Sequence, residues 1–260
     1  MSNENLQTQP DPVNQTPKNS IFARIFVGLV FAALLAYCFF LPGESAQVTV
    51  QRMKCTENAR AVALAVLNYA NEYQQFPPAY VCDSAGRPLY SWRVLILPFL
   101  EEAGLHKEFH LDEPWDSPHN LTLLEKCPKI FQCPALEFDP AKGETTYAMI
   151  VGPDAISNGP KSIAVDGFSR PQENIILIAE SNRRIPWTAP KDIPVESLQF
   201  GLIEPNEETI DTPGIAASHG GSTVVVFAGG NTETLSSSVS SQLLFNLASV
   251  KILKNVKNAQ

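Results

Sequence analysis

Residues 47–73, QVTVQRMKCTENARAVALAVLNYANEY, carry the longest helical pattern of the chain. Apolar side chains recur along it every three or four residues, a spacing that puts them on one face of a helix. These are Cys55, Ala59, Val62, Val66, Ala70 and Tyr73. Phe76-Pro77-Pro78 follows, and a helix cannot continue through such a pair of prolines. The pattern predicts one amphipathic helix from about Gln47 to Tyr73.

A strongly apolar run precedes this helix. Residues 25–41, IFVGLVFAALLAYCFFL, are seventeen residues without a charge, and as a helix they would span about 25 Å. With Ile21 and Phe22 included, and with Arg24 reaching the headgroups, the run is long enough to cross a bilayer. We predict a disordered cytoplasmic tail over residues 1–20 and a transmembrane anchor over residues 21–42, which Pro42-Gly43 ends.

Two rival interpretations of the run are a cleaved signal peptide and a lipoprotein signal. A signal peptide normally has an apolar stretch of ~7–15 residues that ends in a small-x-small site, and Gly43-Glu44-Ser45 fits such a site poorly. Leu35-Ala36-Tyr37-Cys38 resembles a lipobox, but Tyr37 is too bulky for its position. The length of the run favours an uncleaved anchor.

Charge predicts the orientation and the partners of the chain. Lys18 and Arg24 flank the anchor on its N-terminal side, whereas Glu44 begins the other flank, which favours an N-terminus inside the cell. Residues 43–260 would then be extracytoplasmic, and with 17 basic and 25 acidic residues they carry the whole net charge of −8. The expected partners are the bilayer, through residues 21–42, and envelope or secretion-system proteins. Without a Lys/Arg cluster, nucleic acid is not an expected partner.

The rest of the domain changes from short helices to strands. Ser91 and Ser117 are placed to cap short helices, and Pro98 should split the first of them. The runs that favour strands are 130–133, 145–151, 163–165, 174–179 and the hairpin 223–227 with 231–235. Residues 186–208 contain four prolines, which predicts a long loop on the surface. Residues 243–250 are predicted to form a closing helix. The order of these elements predicts an α+β fold for residues 43–260.

Four cysteines lie outside the predicted anchor. An even number in an exported domain suggests two disulfides. Three pairings are possible, and we favour Cys55–Cys133 with Cys82–Cys127; the alternative is that all four are buried free thiols. The chain has no C-x-x-C pair, and the spacing from Cys127 to Cys133 is poor for zinc. We therefore predict neither a metal site nor a cofactor.

Taken together, motifs spread from Arg52 to about Leu235 resemble one family. They are Cys55-x-x-Asn58, Phe76-Pro77-Pro78, GRPLYSWRVLILPFLE at residues 86–101, Glu113-Pro114-Trp115-Asp116, Phe131-Gln132-Cys133-Pro134, Val151-Gly152-Pro153, Asp166-Gly167, Pro186-Trp187 and Ser218-His219-Gly220-Gly221. The family is a planctomycete-type group of prepilin-like proteins of unknown function, also labelled a bacterial solute-binding family. The resemblance implies a pilin-like exported fold, with an N-terminal membrane helix continuing into an amphipathic helix packed on an antiparallel sheet.

The chain departs from the family pattern at both ends. Many members begin with a prepilin processing site, a Gly before Phe-Thr-Leu-x-x-Glu, where this chain has Asn19-Ser20-Ile21-Phe22. The C-terminal signature is a His, nine residues and then Asp-Gly, but here Gly229-Gly230 follows His219 at that distance. The first departure argues against prepilin cleavage, and the second removes any role of that Asp.

Four residues are candidates for a ligand-binding site. Trp187 lies in the proline-rich stretch, Glu180 ends an apolar run, and Asp192 and His219 could meet Glu180 in a cleft. The competing interpretation gives each a structural role: core packing for Trp187, and hydrogen bonds or an ion pair for the others. We predict a structural or interaction protein and not an enzyme, with no catalytic residues. The alternative is an extracytoplasmic module that binds a solute or glycan; a hydrolase would need a nucleophile beside His219.

Overall fold

The computed structural model describes residues 19–40, 46–204 and 213–251. The chain divides into two compact units, Met1–Gly43 and Glu44–Gln260. In the first unit, helix α1 runs from Asn19 to Phe40. Among the described residues, no helix combines the length and the apolar character that a membrane crossing requires. Residues 1–18 of the predicted tail and residues 41–42 of the predicted anchor lie outside the described residues, whereas residues 19–20, predicted to be disordered, begin α1.

The second unit begins with one long helix and continues with short helices and strands. The helices are α2 (Ala46–Tyr73), α3 (Trp92–Leu95), α4 (Ala103–Glu108), α5 (Pro118–Leu121) and α6 (Ser241–Ala248). The strands are β1 (Tyr80–Cys82), β2 (Pro88–Ser91), β3 (Glu144–Val151), β4 (Ser157–Asn158), β5 (Lys161–Ser162), β6 (Ile176–Pro186), β7 (Ile193–Pro194), β8 (Leu202–Ile203), β9 (Ile215–Ala216), β10 (Ser222–Phe227) and β11 (Thr232–Ser236). Both predicted caps are present, because the Ser91 and Ser117 side chains accept backbone N–H groups.

The main sheet is largely antiparallel. Its strand order is β11-β10-β6-β3-β4-β5, and the pairs β11–β10, β10–β6 and β6–β3 are antiparallel. The short strands β4 and β7 pair with β3 in parallel. Strands β1 and β2 form a separate hairpin. These observations confirm the predicted α+β class with an antiparallel sheet, and β10 with β11 is the predicted hairpin.

Both faces of the central strands are buried. Tyr147 and Met149 of β3 point into a core that includes the apolar face of α2, while Ala148 and Ile150 point into a second core that includes α6. This alternation follows from the two-residue period of a strand. Helix α2 lies against β10 and β11, so the predicted amphipathic helix does pack on the sheet.

Three sequence-based predictions of local structure are wrong. Residues 130–133 do not form a strand, since Lys129–Phe131 is a 3₁₀ turn. Residues 163–165 contribute a single bridge, from Ala164 to Gln75, in place of a strand. Much of the proline-rich segment 186–208 is buried, and Trp187 and Ile193 are both 0% exposed. This proline-rich segment passes through the core, because its apolar side chains fill the space beside β3.

Candidate functional site

A group of four ionisable side chains lies where α2 meets the sheet. Each comes from a different part of the chain: one from the middle of α2, one from the loop after a 3₁₀ turn, one from β6, and one from the turn before β10. All four are buried. We call these residues the buried cluster: Cys55, Cys133, Glu180 and His219.

The backbone around each member fixes its position. Cys55 belongs to the buried stripe of α2, and the Asn58 side chain one turn later donates to the carbonyl of Gln132, which holds the loop of Cys133 against the helix. Glu180 lies opposite Tyr147 in the β3–β6 register. The turn at His219 closes when its N–H donates to the carbonyl of Ser222.

Polar atoms of the buried cluster are within contact distance of one another. The Cys55 Sγ lies 3.1 Å from Glu180 Oε1, and the Cys133 Sγ lies 3.6 Å from His219 Nε2. His219 Nε2 is also 3.2 Å from Glu180 Oε2. One ligand atom from each of the four residues can be chosen so that all lie within 4.8 Å of one another.

Cys133 and Glu180 converge on the same nitrogen of His219. A nucleophile–histidine–carboxylate relay requires the two partners on opposite ring nitrogens. Here both contact Nε2, and Nδ1 has no hydrogen-bond partner among the residues that the structure describes. His219 is therefore not isolated from a nucleophile, but the geometry is that of groups gathered around one point and not of a catalytic relay.

Mutual contacts change the proton affinities in the buried cluster. Burial lowers the pKa of His219, but hydrogen bonds to Cys133 and Glu180 outweigh it and raise the pKa to about 10. The hydrogen bond from Cys55 lowers the pKa of the Cys133 thiol, while the same contact and then burial raise the pKa of the Cys55 thiol far above its usual range. The raised pKa means that the contacts within the buried cluster favour the protonated form of the His219 imidazole.

A surface pocket opens beside Cys133. Its volume is about 440 Å³, and its lining includes Asn58, Gln132, Cys133 and Leu136. Cys133 is itself 0% exposed, so it lies at the floor of the pocket and not at its rim. Cys133 is the member of the buried cluster that lines this pocket.

The four predicted ligand-binding residues do not share a cleft. Only Glu180 and His219 touch each other. Asp192 instead accepts from the Trp92 indole at 3.0 Å and pairs with Arg93. The Trp187 indole N–H donates to the Leu124 carbonyl, and the ring stacks on Phe131 inside the core. The Trp187 side chain thus packs in the core, as the competing structural interpretation expected, and offers no exposed surface.

The cysteines divide into two groups. Cys55 and Cys133 meet in the buried cluster, as the favoured pairing required, yet all four cysteines of the domain are free thiols in this structure. The Cys127 Sγ donates to the carbonyls of Pro128 and Glu144, at 3.7 and 3.8 Å. The structure therefore shows neither predicted disulfide.

The sequence does not reveal the buried cluster as a unit. Glu180 and His219 were predicted as ligand-binding residues and Cys55 with Cys133 as a disulfide, and no metal site was predicted. Two thiols, an imidazole and a carboxylate within 4.8 Å could hold a metal ion. No local sequence motif reveals the set, since consecutive members lie between 39 and 78 residues apart along the chain.

Comparison with known proteins gives one match. A family model described as "Protein of unknown function (DUF1559)", SBP_bac_10, matches residues 51–187, just over half of the chain. No curated protein and no solved structure matches the chain significantly. The matched segment includes most of α2, the loop of Cys133 and all of β6, and most of the quoted motifs lie within it. The chain therefore belongs to the DUF1559 family of proteins of unknown function.

Proposed function

We propose that this protein is a single-pass membrane protein that displays a pilin-like extracytoplasmic domain, with a structural or interaction role at the cell envelope or secretion machinery. The observation that carries the proposal is the burial of every predicted ligand-binding side chain. Glu180 and Trp187 are 0% exposed, and His219 is 1% exposed. A domain whose polar groups are used internally is suited to contacting partners through its surface, and we infer no enzymatic role for it.

Helix α2 supports the pilin-like part of the proposal. Its buried residues begin only at Cys55, so residues 46–54 contribute none to the core. Nine helical residues extend about 13 Å, and here they include the exposed side chains of Val50 and Met53. A long helix whose packed part begins only after its first nine residues suits a pilin-like layout.

The side chains of α1 support the membrane part of the proposal. Large apolar residues are exposed around the helix, including Phe22, Phe26, Val27 and Phe31, each at least 64% exposed. Exposed apolar surface of this extent marks a membrane or protein contact. Together with the seventeen uncharged residues of the run, it favours lipid as the partner. The flanking charges, Lys18 and Arg24 before the run and Glu44 after it, favour an N-terminus inside the cell.

Alkaline washing of membranes from cells that express the full-length chain tests this proposal. We expect the protein to stay in the membrane pellet, since a spanning helix resists a treatment that strips peripheral proteins. A double variant, Val27→Asp with Leu34→Asp, should lose retention because charges at the centre of a span are costly. The matched control is Val50→Asp with Met53→Asp, which places the same charges on α2 and should leave retention unchanged. Release of the wild-type chain by the wash would contradict the anchor.

A binding module is the second candidate function, and one observation favours it. The pocket beside Cys133 has a volume of about 440 Å³, which lies within the range of small-molecule sites. It is not the cleft predicted around Trp187, and a solute would meet Asn58 and Leu136 instead. Its lining combines apolar side chains with a few polar groups, which is the usual composition of such a site.

A further inference from the structure

We propose that the buried cluster binds one Zn²⁺ ion as a structural site. The proposal does not depend on the display function, and nothing in the family description assigns it. It rests on the identity of the four side chains, on their separations and on their burial.

The donor set is of the kind that zinc prefers. Two thiolate sulfurs, one imidazole nitrogen and one carboxylate oxygen are all common zinc ligands, and structural zinc is almost always held by four of them. The hard cations Mg²⁺ and Ca²⁺ bind oxygen, so two sulfurs argue against both. The buried cluster thus selects for a borderline or soft metal.

The separations fit a small tetrahedral ion. Ordinary zinc bond lengths in a regular tetrahedron put sulfur and nitrogen about 3.6 Å apart, and nitrogen and oxygen about 3.4 Å apart. The corresponding distances here are 3.6 Å for Cys133 Sγ to His219 Nε2 and 3.2 Å for His219 Nε2 to Glu180 Oε2. Cys55 Sγ lies 3.1 Å from Glu180 Oε1, the other carboxylate oxygen, which is closer than the roughly 3.6 Å expected for sulfur and oxygen.

The convergence on Nε2 supports a metal over an internal proton relay. A metal ligand presents one atom to a central point, and His219 presents Nε2 to both Cys133 and Glu180. On binding, the two thiol protons and the extra imidazole proton leave to solvent, because zinc takes thiolate and neutral imidazole. The pocket over Cys133 gives the ion an entry path.

Around the cluster, the neighbouring groups are arranged as an outer shell. The Tyr147 hydroxyl lies 3.0 Å from the Cys55 Sγ, and the Val224 N–H donates to Glu180 Oε2 at 3.5 Å. Donors of this kind orient metal ligands and tune their charge. They come from β3 and β10, so a bound ion would connect α2, the Cys133 loop and the centre of the sheet.

Metal analysis of the full-length chain in detergent tests the site. The reduced, chelator-treated protein is dialysed against a small excess of ZnCl₂, and bound zinc is counted by elemental analysis. We expect one zinc per chain, with affinity lowered at least about tenfold in Cys133→Ser and in His219→Gln, since even second-shell changes cost that much. Cys82→Ser is the matched control, because Cys82 is a free thiol outside the buried cluster.

Cobalt substitution keeps the test valid if the variants do not fold. Wild-type protein loaded with Co²⁺ should show thiolate-to-cobalt charge-transfer absorption and the intense visible bands of a tetrahedral site. The proposal is overturned if the reduced wild-type chain binds no zinc or its cobalt form lacks these bands. It is also overturned if Cys82→Ser loses zinc as fully as Cys133→Ser, or if the isolated chain carries a Cys55–Cys133 disulfide and no zinc.

Discussion

Arg93 and Asp192 form a buried ion pair, with 3.0 Å between Arg93 Nη2 and Asp192 Oδ1. Their side chains are 0% and 2% exposed, respectively. The guanidinium also donates to the Tyr147 carbonyl and to the Ser91 hydroxyl, and Asp192 accepts from the Met149 N–H. The pair thereby connects the start of α3 to β3 and to the segment that precedes β7. The surrounding groups satisfy the guanidinium and Asp192 Oδ1, whereas Asp192 Oδ2 has no hydrogen-bond partner among the described residues.

Replacement of Arg93 by Met should destabilise the domain strongly. The substitution leaves the Asp192 carboxylate buried without its cation, a change that costs roughly 3–5 kcal/mol in comparable sites. Urea unfolding of the wild-type and Arg93→Met chains measures the difference. Lys251→Met is the control, because it removes an exposed pair with Asp154 and should cost less than about 1 kcal/mol. Equal stability of the two variants would contradict a structural role of the buried pair.

Gly143 should tolerate no side chain. Its φ is 52°, and a Cβ added there would overlap the backbone carbonyl of Leu124. Gly86 is the matched control, since its φ is 79° but a Cβ there meets nothing within 4 Å. We expect Gly86→Ala to cost about 1–2 kcal/mol, the penalty of the left-handed conformation alone. Gly143→Ala should cost clearly more in the same unfolding experiment, and similar costs at the two sites would refute the overlap.

Asp83 should stabilise the β1–β2 hairpin only above acidic pH. Hydrogen bonds from the backbone and side chain of Arg87 hold the pKa of Asp83 below its ordinary value of 3.8. A depressed carboxyl pKa adds stability above the unfolded-state pKa, and this is lost as pH falls through the folded-state pKa. NMR titration of the carboxyl carbon should show the low pKa. Asp83→Asn should have a flatter stability profile across this acidic range, and an identical profile would argue against the linkage.

Cys133 should react with small alkylating reagents before Cys55 does. Both are 0% exposed, but only Cys133 lines the surface pocket. Timed iodoacetamide labelling of the reduced, zinc-free chain, followed by mass spectrometry, should find the Cys133 adduct first. Leu136→Trp should slow that adduct by filling the pocket while leaving Cys82 labelling unchanged. Faster labelling of Cys55 would show that the pocket does not lead to the cluster.

Periodicity in the sequence predicted the elements that depend on local pattern. The apolar stripe from Cys55 to Tyr73 predicted α2, and the capping residues Ser91 and Ser117 predicted the starts of α3 and α5. The apolar runs around two glycines gave the β10–β11 hairpin. In each case the neighbours along the chain determine the structure, so a single sequence carries the signal.

The predictions were wrong for segments whose structure depends on contacts with distant parts of the chain. Prolines between 186 and 208 indicated a surface path, but burial of Trp187 and Ile193 dominates there. Residues 130–133 favoured a strand, yet Lys129–Phe131 is a 3₁₀ turn and Thr145 donates to the Phe131 carbonyl. The buried cluster was invisible for the same reason, because only the antiparallel β6–β10 pairing brings His219 beside Glu180.

Because β6 pairs with β10, the end of the family match is not the end of the folded domain. The matched segment ends at residue 187. A fragment that ends there lacks β10, the partner strand of β6, and lacks His219 of the buried cluster. A fragment cut at that boundary would expose a central strand edge, which promotes aggregation. Expression designs for members of this family should therefore extend through the equivalent of β11, and the residues after the match belong to the same cooperative folding unit as those within it.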